Sequence, residues 1–225
     1  MRSRPSRCFL LFVLAAIPRH AFSQSASVIP REDVQIWTDF HFAHSLRENT
    51  DLSLSGGLRM GRDVSHLVYE RLGAGLSFKF GKYLTLFPSY AYFATQPAAG
   101  LGLGSRENRL SLDTGLGLPH GRWEFTDRNV FERRFRDPKD STRYRNRLQI
   151  ERAVTLAGRP LSLFVWEEVL YDWSFNAWVR NRIAIGAGRS LSSKVSLELY
   201  YLRQNGSLIL PADMHVVGMT LRTRI

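Results

Sequence analysis

Between residues 33 and 225, apolar and polar side chains alternate in long runs, and each run ends at a turn signal. A period of two puts successive side chains on opposite faces of an extended strand. Eleven segments carry the pattern: 33–44, 51–62, 66–80, 83–94, 106–118, 122–135, 142–154, 160–172, 178–189, 194–204 and 213–225. No stretch sustains an apolar stripe of period 3.6, so almost no helix is expected. No linker or low-complexity tract breaks the series, and residues 24–225 read as one domain.

The interruptions alternate in length. Gly81-Lys82, Pro119-His120-Gly121 and Leu191-Ser192-Ser193 are short, whereas 96–105, 136–141 and 205–212 are longer and rich in Gly, Pro, Asp and Ser. Outer-membrane barrels have short periplasmic turns and longer outside loops. The segments also exceed the roughly 5–6 residues usual in soluble sheets. They suit the roughly 9–11 that a tilted membrane strand requires.

Sorting by parity separates the chemistry. One face carries Leu52, Leu54, Leu58, Leu72, Leu76, Leu110, Leu112, Leu116, Leu148, Ile150, Val179, Ile183, Ile185, Leu197, Leu199, Val217 and Leu221. The other carries Arg59, Arg71, Lys79, Arg109, Asp113, Arg128, Glu132, Arg134, Arg143, Arg145, Arg147, Glu151, Arg180, Arg182, Glu198, Arg222 and Arg224.

Alternation alone does not say which face turns inward; three features place the charges there. Gly73, Gly75, Gly115, Gly117, Gly186, Gly188 and Gly218 share the charged face, where glycine permits close approach. The charges are mostly arginine with glutamate nearby, and guanidinium planes pair well with carboxylates across strands. Trp37, Phe80, Tyr83, Tyr90, Tyr92, Trp123, Tyr171, Trp173 and Trp178 collect near segment ends, as in interfacial aromatic girdles.

The expected fold class is therefore all-β: a single antiparallel up-and-down transmembrane β-barrel of about 10–12 strands. Such single-chain barrels have even strand numbers, so an eleventh segment implies one missed, split or outside the wall; 33–44 is the weakest. Asp127 and Asn129 sit on the apolar face, and Glu167 and Glu168 are adjacent, so one must face outward unless a bulge intervenes.

The N-terminus changes the picture by giving an address. Arg2, Arg4 and Arg7 precede an apolar run over 8–17, and Ala21-Phe22-Ser23 supplies small residues for cleavage before Gln24. Residues 1–23 read as a signal peptide, since a spanning helix takes about 20 apolar residues. The address expected is the bacterial outer membrane. Cys8 is the only cysteine, so a mature chain has no disulfide or thiolate metal site. The chain holds 31 Lys and Arg against 20 Asp and Glu; without residues 1–23 the balance is 27 against 20, or +7. The charges are dispersed and the chain is exported, so nucleic acid is not expected as a partner.

Candidate chemistry is sparse. Residues 75–82 superficially resemble a phosphate loop but have the wrong glycine spacing and lack the Ser or Thr. The glycines of 100–104 lack dinucleotide spacing. His41 and His44, three apart on a strand, point to opposite faces, so no metal is expected. No cofactor is implied, and no serine occupies a nucleophile motif, so an enzyme is not expected. The lumen-facing candidates are Arg143, Arg145, Arg147, Arg180, Arg182, Glu132, Glu151 and Glu198. They either attract small anions or brace the barrel through ion pairs.

The early strand with Trp37, the hairpin Leu76-Ser77-Phe78-Lys79-Phe80-Gly81-Lys82, the run Arg145-Asn146-Arg147-Leu148 and the segment Asn181-Arg182-Ile183-Ala184-Ile185-Gly186-Ala187-Gly188 resemble an uncharacterised family. It is the domain of unknown function family 2490, predicted bacterial outer-membrane barrels. The resemblance implies a barrel and no assigned activity. The expected partners are outer-membrane lipid, the barrel-assembly machinery through the C-terminal strand, and small anions. A porin-like or structural barrel heads the functions, before a lipid-modifying barrel enzyme and a soluble periplasmic barrel around an apolar ligand.

Overall fold

Strands with one apolar and one charged face must pair until no backbone edge is left open, and closure into a barrel removes every edge. The computed structural model describes residues 30–96 and 104–225. The expected signal segment and most of the glycine-rich stretch near Gly102 lie outside them. Eleven strands follow in order: β1 (Glu32–Arg47), β2 (Thr50–Gly61), β3 (His66–Phe80), β4 (Leu84–Thr95), β5 (Ser105–His120), β6 (Trp123–Arg136), β7 (Ser141–Leu156), β8 (Arg159–Asp172), β9 (Ala177–Ser190), β10 (Val195–Gly206) and β11 (Asp213–Arg224). The described residues contain no helix.

Each strand pairs antiparallel with its sequence neighbours, and β1 closes the barrel against β11 in parallel. The expected even, wholly antiparallel wall is thus corrected. No segment is spurious, and 33–44 belongs to the wall. Direction reverses at each hairpin, so after an odd number of strands the last runs with the first. The seam pairs Glu32 with Asp213 through to Ala43 with Arg224. Backbone bonds Ala212 N to Arg31 O (2.8 Å) and Ile225 N to Ala43 O (3.0 Å) extend it at its two ends. Arg31–Asp213 (3.1 Å) and Arg224–Asp51 (3.0 Å) add ion pairs there.

The turns at the β1–β2, β3–β4, β5–β6, β7–β8 and β9–β10 rim have two to four residues; those at the opposite rim have four to nine. Leu72 (69 % exposed), Ile185 and Val217 cover the outer wall, while Glu132, Glu168 and Arg182 are buried inside. Two polar departures on the outer wall are resolved by pairing. Asn146 donates to Asp127 (2.6 Å) and to Asn129 (3.0 Å), and Tyr144 donates to Asn129 (2.5 Å). Glu167 faces outward and accepts from Asn181 (2.6 Å), while Glu168 points in. No bulge separates those glutamates; the β8–β9 register shifts at Leu170/Tyr171 instead. That shift buries Val179, which strict alternation puts on the outer face.

Trp37 is also corrected. It is buried against the cavity rather than girdling the wall, because it shares the parity of Asp33, Gln35 and Asp39. The inner glycines divide. A Cβ on Gly218 would lie 2.0 Å from Tyr200 Cζ, and one on Gly186 would lie 2.5 Å from Phe164 Cζ. These glycines let aromatic rings lie across the inner wall. Gly115 has nothing within 4 Å of such a Cβ, so crowding does not explain it.

Candidate lumen site

Inward parity on adjacent strands stacks side chains into tiers, and register decides which meet. The interior encloses a cavity of about 1150 Å³. Its lining runs from Pro30 and Gln96 at the long-loop rim to Thr85 and Gln149, toward the short-turn rim. Among the described residues, thirteen arginines and seven carboxylates line it.

The long-loop half is cross-linked by charge. Glu168, 1 % exposed, accepts from Arg145 Nη2 (2.7 Å), Arg147 Nη2 (3.0 Å) and Arg182 Nη1 (3.0 Å). Glu132 Oε1 accepts from Arg145 Nη1 (3.1 Å) and Arg109 Nη1 (3.0 Å). Glu107 holds Arg134 through both carboxylate oxygens (2.8 and 2.6 Å) and takes a bond from Arg109 Nε (2.8 Å). Asp172 accepts from Arg134 (3.2 Å) and Arg143 (3.3 Å) and is fixed by Ser174 (2.6 Å). Arg182 continues to Gln204 (2.8 Å), which donates to Ala212 O (3.2 Å). The lattice spans β5 to β10 and ties six strands together from inside.

Aromatic faces carry part of the positive charge. Arg59 lies over Trp37 (3.8 Å) and Tyr69 (4.1 Å), Arg109 over Phe93 (3.9 Å), and Arg147 over Trp166 (4.0 Å). Nearer the short-turn rim the pairs are isolated: Arg71–Asp39 (2.9 Å), Arg222–Glu198 (2.9 Å) and Arg128 with Asp113.

Of the sequence candidates, Arg143, Arg145, Arg147, Arg182 and Glu132 meet in one network. Arg180 lines the same cavity but makes no ion pair. Glu198 and Glu151 stand apart from the network. Glu198 is held by Arg222. Glu151 sits opposite Glu124 and accepts from Gln149 (3.2 Å). Register separates them: the β6–β7 pairing sets Glu132 beside Arg143 and leaves Glu151 near the β7–β8 turn. Glu107, Asp172, Gln204 and Trp37 join the lumen network without being among the lumen residues expected from the sequence. Parity marks Glu107, Trp37 and Asp172 as inward: Phe164, Trp166, Glu168, Leu170 and Asp172 alternate without a break on β8 and are all buried, and the extra residue at the β8–β9 shift, Val179, lies on β9.

One serine–histidine pair also lies at the long-loop rim, in the β2–β3 turn. Ser65 Oγ is 2.6 Å from His66 Nδ1 and donates to Arg62 O at 2.5 Å. A hydroxyl has one proton. With that proton given to Arg62 O, the ring nitrogen must donate, and it does not act as a base toward this serine. His41 lines the cavity, and His44 lies on the opposite face.

The family described as protein of unknown function (DUF2490) matches residues 34–212. The chain belongs to the DUF2490 family. The match runs from β1 through the loop before β11, so the charged tiers of this DUF2490 barrel fall within it. No curated protein matches the chain. Solved structures similar to this DUF2490 member include the beta domain of the Bordetella autotransporter BrkA, at 12 % identity and TM-score 0.45, covering 72 % of this chain and 80 % of that one. The anion-selective porin from Comamonas acidovorans is similar at 15 % identity and TM-score 0.37, covering 78 % and 55 %. The outer membrane protein OmpT of Vibrio cholerae is similar at 8 % identity and TM-score 0.38, covering 74 % and 58 %. The chain thus spans little more than half the length of the last two.

Proposed function

We propose that this DUF2490 protein resides in the bacterial outer membrane as a narrow barrel whose lumen favours small anions. The observation that carries the reading is the cavity lining, with thirteen arginines against seven carboxylates. An excess of fixed positive charge in a low-dielectric tube raises the local concentration of anions. The apolar outer wall suits lipid: Leu72, Ile185, Val217 and Leu148 are more than half exposed, and such surface is unfavourable in water.

A bracing role is the second reading. It is favoured by Glu168, which gathers three arginines without reaching the solvent. Conductance separates the two. The folded protein, recovered from the outer-membrane fraction, is placed in a planar lipid bilayer under a potassium chloride gradient. The reversal potential should report anion preference. Arg136→Glu together with Arg180→Glu should move it toward cations, because both residues line the cavity and neither side chain is ion-paired. A folded barrel that passes no current would leave bracing as the role. An unchanged reversal potential in the double variant would sink the anion reading.

A further inference from the structure

We propose that Arg59, Arg143, Arg180 and Arg182, beside Trp37, form a binding station for a small oxoanion inside the lumen. This deepens the anion reading and rests on it. Arg180 faces the cavity, and its Nε is buried with no hydrogen-bond partner. Arg182 follows two residues later on the same face of β9, and Arg143, Arg59 and Arg134 line the same cavity. Arg143 likewise has a buried Nε without a partner, and its one ion pair, to Asp172, is 3.3 Å long. Arg59 rests on aromatic rings and makes no ion pair. Arg182 approaches the same Trp37 ring at 5.3 Å from the other side of β1, so guanidinium groups from β2 and β9 meet at one indole.

The acids that could neutralise this group are mostly engaged. Glu168 holds three arginines, Glu107 is forked by Arg134, and Glu132 takes Arg109 and Arg145 on Oε1, which leaves its buried Oε2 as one spare acceptor. Donors therefore outnumber acceptors where the fold brings like charges together, an arrangement that opposes folding. A negatively charged ligand with several oxygens supplies what is missing. The forked guanidinium geometry matches an oxoanion better than a halide, which offers charge without a second acceptor atom.

Inorganic phosphate is the probe, titrated calorimetrically into the folded barrel in detergent micelles. The wild type should bind it saturably. Arg180→Gln should weaken binding about tenfold, the loss expected for one charge-assisted hydrogen bond. Its thermal unfolding midpoint should not fall, because the substitution removes an uncompensated cation. Arg222→Gln, at the Glu198 pair toward the other rim, should keep the wild-type affinity. No binding by the wild type, equal binding by Arg180→Gln, or an equal loss in Arg222→Gln would each overturn the station. Chloride conductance without phosphate binding would remove the station and leave the pore. Phosphate binding without conductance would remove the pore and leave the station.

Discussion

Glu168 carries three guanidinium partners on two oxygens: Arg145 and Arg147 share Oε1, and Arg182 takes Oε2. Removing its charge leaves those cations facing one another in a space closed to solvent. Deleting one member of a buried ion pair costs about 3–5 kcal/mol. Glu168→Gln should therefore lower the unfolding free energy of the folded barrel, read from urea titration, by about 3–5 kcal/mol. Glu198→Gln, whose partner Arg222 is nearly half exposed, should cost about 1 kcal/mol or less. Equal losses would mean that the lattice is no more than a set of surface pairs. Parity alone made these acids legible as inward-facing. It did not say which arginine each would meet, because depth in the barrel depends on register and register is not written in alternation. Glu151 and Glu198 share the inward parity but meet other neighbours for that reason, Glu124 opposite the first and Arg222 paired with the second. Asp127 and Asn129 looked misplaced because their partners, Asn146 and Tyr144, belong to the next strand.

At the scale of the strands, the sequence segments match all eleven elements to within three residues at every boundary. Turn residues and strict alternation carry that information locally. The β8–β9 bulge was not legible, since Val179 continues the apolar parity in sequence and leaves it only in space. Glycine roles were half legible. Tyr200 lies between Gly186 on β9 and Gly218 on β11, opposite both in register. Gly218→Val should displace its ring and cost about 1–3 kcal/mol, as overpacking does. Gly115→Ala, with open space around the added carbon, should unfold within about 0.5 kcal/mol of wild type. Thermal loss of the compact, fast-migrating form on unheated gels reads both. A neutral Gly218→Val would show that Tyr200 has room to turn away.

The whole molecule adds what no segment could show. The sequence carries eleven alternating segments, and the even-number rule makes one of them look superfluous. The parallel β1–β11 seam makes the odd number sufficient. It puts Arg31 at the long-loop rim with Ser207, and Lys194 at the other rim with Arg224. With the short-turn rim in the periplasm, Arg31→Cys and Ser207→Cys should both react with a membrane-impermeant maleimide on intact cells. Lys194→Cys should react only after lysis. Labelling of Arg31→Cys in step with Lys194→Cys would contradict the seam. An even barrel returns both chain ends to one compartment. This one sets the start of β1 and the end of β11 at opposite rims, so, with the short-turn rim in the periplasm, a peptide inserted ahead of Arg31 would be displayed on the cell surface while one inserted after Arg224 stayed behind the membrane.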